Sequence, residues 1–233
     1  MKLLRAAPAY NEKIEQYGKK DGVLAFLLFG IFILSYVLLA LLAVHCSFVK
    51  ENITAAGCLV NLLLVAIAVL FVKLNRQPLS SIGLSGGNWK ASCIAGILLG
   101  AVFVFNNCVS RLLSGSRLLP LREIAVLLVY FLLVALCEEI VFRGYIGTRI
   151  YGLIQEKWLA ILVTGLLFVL MHYPYRMIAG GMTFSQLTFD NFDWILNLFF
   201  THVLLNFIYL KTDSLYGAIL PHWLSNLAYN IVQ

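Results

Sequence analysis

The sequence predicts an all-α fold: a polytopic membrane bundle of about seven transmembrane helices, within a range of six to eight. Two observations carry this. First, the 233 residues are 61% hydrophobic and only 12% charged, with a mean hydropathy of +0.90. A soluble domain averages about 25% charged residues, so this chain cannot cover its surface with polar groups in water. Second, apolar runs recur at about 22–45, 54–74, 91–110, 122–148, 158–174, 192–210 and 214–232, each near the ~20 residues needed to cross a bilayer.

The elements follow in order. Residues 1–21 are polar and basic, with Lys2, Arg5, Lys13, Lys19 and Lys20, and suit a short interfacial helix. The loop at 75–90 is rich in Gly, Ser, Asn and Pro, and Trp89 sits where an interfacial aromatic belongs. The fourth run is long and interrupted by Gly144 and Gly147. Segment 175–191, with Gly180-Gly181, is the longest polar stretch between late runs, a connector or a gating loop. No internal repeat or linker divides the chain, so residues 1–233 read as one transmembrane domain.

The formal net charge is +6. With the N-terminus placed in the cytoplasm, Lys2, Arg5, Lys13, Lys19, Lys20, Lys73, Arg76, Lys90, Arg149, Lys157 and Lys211 fall inside, and Lys50, Arg111, Arg117, Arg122 and Arg176 fall outside. Eleven against five follows the positive-inside rule. The basic residues are scattered among loops, so the bilayer is the expected partner and nucleic acid is not. Cys46, Cys58, Cys93, Cys108 and Cys137 are odd in number, lack a CxxC and lie mostly in apolar runs. They read as small packing residues rather than as a disulfide framework or a zinc knuckle.

The chemistry-bearing residues sit inside apolar runs. Phe131-Leu-Leu-Val-Ala-Leu-Cys-Glu138-Glu139-Ile-Val-Phe-Arg143 places two adjacent acids in a membrane helix, at a cost of a few kcal/mol each. Successive helical residues turn by about 100°. Glu139 and Arg143 are therefore i,i+4 and share a face, whereas Glu138 lies about 140° from Arg143. Arg143 neutralises Glu139, and Glu138 is left as the freer carboxylate. Downstream, Phe168-x-x-x-His172 and His222-x-x-x-Asn226 each put two residues on one helical face, and Pro174 and Pro221 loosen the helix beside each histidine. His and Asn can both donate hydrogen bonds to a developing oxyanion. His202-x-x-x-Asn206 has the same spacing one run earlier, with hydrogen bonding between helices as its alternative use. At ~1.5 Å per residue from the cytoplasmic ends, Glu138, His172 and His222 lie ~16, ~22 and ~14 Å deep, all near the middle of a ~30 Å hydrocarbon core. Two Glu, two His and an Asn could also bind zinc, but there is no HExxH and no other zinc signature.

Three motifs in this order, Glu138-Glu139-x-x-x-Arg143, Phe168-x-x-x-His172 and His222-x-x-x-Asn226, resemble those of the CPBP family, the CAAX-protease and bacteriocin-processing (Abi) intramembrane proteins. The run Lys211-Thr-Asp-Ser-Leu-Tyr-Gly-Ala-Ile-Leu-Pro-His222 also resembles that family's approach to its last motif, with Asp213 standing where a Gly is usual. This context selects His222 over His202. The resemblance covers about residues 75–230. It implies a conical bundle around a membrane-embedded cavity and a CAAX prenyl endopeptidase-like, glutamate-dependent peptidase without metal or other cofactor. On that pattern Glu138 with His172 activates a water, His222 and Asn226 stabilise the oxyanion, and Glu139 and Arg143 organise the site. The substrate is then a peptide or membrane protein, and a bacterial host would place the chain in its plasma membrane. The competing function is a non-proteolytic membrane-protein partner, such as a bacteriocin-immunity protein or a sensor-kinase modulator. A small transporter is the weaker third, because no matching halves with broken helices are seen.

Overall fold

The computed structural model describes residues 6–84 and 87–233. Lys2 and Arg5, counted above among the inner cations, and Ser85-Gly86 of the 75–90 loop lie outside the described residues. The described chain is built of helices, with one isolated β-bridge between Leu118 and Val232.

In chain order the helices are α1 (Pro8–Glu15), α2 (Lys19–His45), α3 (Ser47–Glu51), α4 (Ile53–Leu74), α5 (Trp89–Leu113), α6 (Leu121–Ile154), α7 (Lys157–Ile178), α8 (Phe192–Thr212) and α9 (Tyr216–Asn230). Six of them, α2, α4, α5, α6, α7 and α8, are long and apolar enough to cross a membrane, and the protein is a polytopic helical membrane protein. The run expected at 214–232 forms the 15-residue α9, shorter than the other six. At ~1.5 Å per residue it is ~22 Å long, short of the ~30 Å core. A left-handed residue, Asp213 (φ 52°), ends α8 before it. After it the chain turns back, and Arg117 and Gln233 exchange backbone hydrogen bonds of 2.8 and 2.9 Å.

α6 is the central element. Every residue from Cys137 to Ile146 is buried. A helix with no exposed face lies inside a bundle rather than on it. No residue from Leu121 to Leu133 is buried, so the two halves of this helix have different surroundings. The inner half carries the core, with Phe142, Ile146 and Ile150 packed among Phe32, Leu64, Ala68 and Phe168. Residues Glu139–Gly147 form a π-helical stretch, in which hydrogen bonds run i→i+5. Gly144 makes room within it, because a Cβ there would lie 2.7 Å from the carbonyl oxygen of Ile82.

The end of the bundle bearing α1 is tightly sewn. Arg149, read from sequence as a loop cation, is fully buried. It donates to Gln77 Oε1 (2.6 Å), Ser81 Oγ (2.8 Å) and the Gly144 carbonyl (3.0 Å), between the rings of Tyr17 and Tyr145. The expected N-terminal helix forms as α1, and it docks onto protein. Lys13 pairs with Asp213 and donates to the Tyr209 hydroxyl (3.3 Å), the Ala7 amide donates to the Leu210 carbonyl (2.7 Å), and Tyr10 stands edge-on to Tyr209. Burial pushes the Lys13 ammonium below its ordinary pKa, against the pull of Asp213. Asp213 occupies a backbone conformation that favours glycine, and its carboxylate is tied down by Lys13. Beside it, Gly87 (φ 61°) lets residues 87–92 lie against residues 212–217, where a Cβ would approach the Thr212 carbonyl to 2.2 Å. The Asn88 amide donates to the Thr212 carbonyl (2.7 Å), the Leu215 amide to the Gly83 carbonyl (3.1 Å), and the Gly217 amide to Ser92 Oγ (2.7 Å). These bonds fix where α9 begins and hence where His222 stands. All five cysteines are free thiols.

Candidate active site

Glu138 ends the regular α-helical part of α6 and Glu139 begins the π-helical stretch. The two carboxylates have different partners. Arg143 forms an ion pair with Glu139 Oε2, its i,i+4 neighbour. The other oxygen of Glu139 lies 2.6 Å from His222 Nδ1. Glu139 is fully buried and bound at both oxygens, while Glu138 is 6% exposed. The nearest partner recorded for Glu138 is His222 Nε2, 3.5 Å from Oε2, too far for a good hydrogen bond. The spacing argument therefore described the pair well. One acid is consumed by structure and the other is free.

His222 links the two. A carboxylate can only accept when ionised, so Nδ1 carries the hydrogen that Glu139 accepts. This fixes the ring orientation and turns Nε2 toward Glu138.

His172 stands where α7 breaks between Leu170 and Tyr173. Its Nδ1 lies 2.8 Å from the Phe168 carbonyl. A carbonyl only accepts, so Nδ1 bears the hydrogen and Nε2 keeps its lone pair. The ring packs edge-on to Trp194 on α8, with centroids 5.5 Å apart. Phe168 proves to be the centre of the arrangement. The rings of His172, His202 and His222 lie 5.2, 5.1 and 6.3 Å from it, and the Arg143 guanidinium lies 5.6 Å away. One phenyl ring thus holds three imidazoles and a cation, with cation–π attraction adding to packing. The Phe168-x-x-x-His172 spacing placed Phe168 on the right face without revealing this role.

Asn226 follows His222 by one turn of α9 and is half-buried. Its carboxamide makes no hydrogen bond among the described residues, while its backbone carbonyl accepts from Asn230 (2.8 Å). The rival pair lies deeper. His202 is fully buried, and neither of its ring nitrogens has a hydrogen-bond partner among the described residues. Its carbonyl accepts from Arg143 Nη2 (3.2 Å) and from Asn206 Nδ2 (3.0 Å). Asn206 bonds within its own helix rather than across to another, unlike the expected interhelical use. His202 therefore anchors Arg143 through its backbone, a contact that no side-chain spacing could reveal.

Two further side chains were missed from sequence. Tyr36 on α2 donates to Asn61 Oδ1 on α4 (3.1 Å), and Tyr130 stands edge-on to Phe131 on α6. Among the described residues no group of three or more His, Cys, Asp or Glu converges as a metal-holding cluster. The arrangement offers a free carboxylate, a neutral imidazole with an open Nε2, a second imidazole oriented by a buried acid, and an uncommitted amide. Such a set can bind a water, take its proton and offer hydrogen bonds to an oxygen that gains charge.

Residues 120–228 match the family model described as Type II CAAX prenyl endopeptidase Rce1-like. No curated protein and no solved structure matches the chain. The matched stretch contains the paired glutamates and Arg143, Phe168 and His172, and His222 and Asn226. Over these residues the chain is similar to the Rce1-like family of type II CAAX prenyl endopeptidases, consistent with the CPBP motifs in its sequence.

Proposed function

We propose that the protein is an intramembrane endopeptidase that hydrolyses a peptide or membrane-protein substrate with Glu138 as general base and without a metal or other cofactor. The observation that carries this reading is the unequal state of the two glutamates: Glu139 is bound by Arg143 and His222, whereas Glu138 makes no hydrogen bond among the described residues and has His222 Nε2 3.5 Å away. A water between Glu138 and the open Nε2 of His172 gives its proton to Glu138 as its oxygen attacks the scissile carbonyl. The carbonyl oxygen becomes an oxyanion, met by the Nε2–H of His222 and the amide of Asn226. Glu138 then passes its proton to the leaving amine as the C–N bond breaks, which leaves a carboxylic acid and an amine. Glu139 and Arg143 hold His222 in place and touch no substrate.

On this reading residues 1–233 form one transmembrane domain, the N-terminal segment lies in the cytoplasm, and a bacterial host carries the protein in its plasma membrane. The test is substrate trapping. Glu138→Gln keeps the shape of the site and removes its base, so peptides recovered with this variant and identified by mass spectrometry should be cut by the wild-type protein at one bond. Recovered peptides that the wild-type protein leaves intact would overturn the reading.

A further inference from the structure

The end of the bundle away from α1 holds two apolar cavities, one on each side of α4. The first, of about 650 Å³, lies between α4 and α6, among Thr54, Cys58, Ala125, Val129 and Tyr130. The second, of about 520 Å³, lies between α2 and α4, among Leu38, Leu42, Ala56, Leu59 and Leu63. Asn52 and Ala55 line both. The cavities therefore meet at the first turn of α4 and part on either side of it. Both volumes fall within the range of about 300–1,000 Å³ usual for ligand pockets.

Local structure shapes these spaces. Gly57 lets Tyr130 close one wall of the first cavity, because a Cβ there would lie 3.1 Å from Tyr130 Cε2. Ala55 and Ala125, both small and exposed, leave the cavity open beyond it. Between α2 and α4, the Tyr36 hydroxyl bonds Asn61 Oδ1 at 3.1 Å. The short helix α3 joins the far ends of α2 and α4, and its Phe48 and Val49 line the second cavity. Leu38, Leu42, Leu59, Leu63, Val126 and Val129 remain exposed around the two spaces. Apolar surface of this kind, on helices that cross a bilayer, is covered by hydrocarbon chains.

The first cavity also carries charge. Glu51, at the end of α3, and Arg122, at the start of α6, both line it, and both are exposed. They face one space from two different helices, yet neither forms an ion pair among the described residues. Glu123 lines an adjoining cavity together with Arg122. One guanidinium thus stands between two carboxylates at the end of the helices, where lipid headgroups lie.

We propose that the two cavities bind one diacyl phospholipid with a zwitterionic headgroup bearing a primary ammonium. Its phosphate meets Arg122, whose planar fork suits phosphate oxygens. Its ammonium donates to the Glu51 carboxylate. Its two chains pass on either side of α4, one into each cavity. A headgroup with net negative charge and no ammonium fits less well, because it would face Glu51 and Glu123 with only one guanidinium in return. Glu138, His172, His222 and Asn226 line neither cavity, so the lipid site does not depend on the peptidase reading.

The experiment is lipid retention by the full chain. Protein is reconstituted in phosphatidylcholine nanodiscs with equal fractions of phosphatidylethanolamine and phosphatidylglycerol, then released into mild detergent, and retained lipids are counted by native mass spectrometry. An exposed charge contact changes affinity by up to about fivefold. Wild-type protein should therefore keep one phosphatidylethanolamine, about fivefold over phosphatidylglycerol. Arg122→Gln should lower retention of both lipids, since both carry the phosphate. Glu51→Lys should turn the preference toward phosphatidylglycerol. Ala55→Trp, at the junction of the cavities, should lower retention of both lipids and leave their ratio unchanged. Melting temperatures in lipid-free detergent check that each variant is folded, and the two exposed charge variants carry the test should Ala55→Trp not fold. Equal retention of the two lipids by wild-type protein, a wild-type preference for phosphatidylglycerol, or a preference unmoved by Glu51→Lys overturns the proposal.

Discussion

Replacing Glu139 by Ala should destabilise the protein far more than replacing Glu138 by Gln, although the two acids are neighbours. Glu139 is fully buried and accepts from both Arg143 and His222. Its removal leaves the Arg143 guanidinium, 1% exposed, with the His202 carbonyl as its one hydrogen-bond acceptor among the described residues and the Phe168 ring beside it. Stranding one member of a buried ion pair costs about 3–5 kcal/mol. For a domain of this size each kcal/mol lowers the melting temperature by about 2–4 °C, so the loss should be roughly 6–20 °C. Glu138 makes no hydrogen bond among the described residues, with His222 Nε2 3.5 Å away, and an ionised carboxylate there gives up hydration with little return. Glu138→Gln keeps the volume and removes the charge, so its melting temperature should stay within a few degrees of wild type or rise. The assay is thermal unfolding of purified protein in one detergent, followed by tryptophan fluorescence. A double variant, Glu139→Ala with Arg143→Met, serves as control. It removes the stranded charge and should recover much of the loss. Equal destabilisation by Glu138→Gln and Glu139→Ala would refute the division of roles.

Further outcomes follow from the same geometry. Removing an oxyanion donor costs about 10²–10³-fold in turnover, so Asn226→Ala should nearly silence hydrolysis at near-normal stability, whereas Asn206→Ala, which loses a bond within its own helix, should leave turnover within a few-fold of wild type. Strong chelators should leave hydrolysis intact, and a stoichiometric metal whose removal abolishes activity would replace the proposed mechanism with a metallopeptidase. Lys13→Ala strands Asp213 and should lower the melting temperature, while Lys13→Met with Asp213→Gly, which also suits the left-handed backbone there, should restore it. A double variant no more stable than Lys13→Ala would show that α1 is not held by this pair.

The sequence carried the local part of this account well. Six long helices and the split between Glu138 and Glu139 depend on composition and on spacing within one turn, which a chain declares directly. The short α9 was less legible. Its apolar run reaches residue 232, but a left-handed residue at one end and a backbone pairing with residues 117–118 at the other set its length. Contacts between distant residues were not legible at all. The pairing of His222 with Glu139 spans 83 positions, and motif order suggested an oxyanion donor without the acid that orients it. The anchoring of Arg143 by the His202 carbonyl uses backbone, so no residue type signals it. Arg149 and Lys13 looked like cations for the membrane surface because burial is a property of the folded bundle.

The most direct measurement is the rate at which purified wild-type and Glu138→Gln proteins, matched for folded fraction, hydrolyse one trapped peptide in the same bilayer nanodisc. The account predicts a single new carboxyl and amino terminus from the wild type, and no hydrolysis above background from Glu138→Gln, with its melting temperature preserved. Cleavage by Glu138→Gln at the wild-type rate would contradict it, because the water would then be activated by some other group.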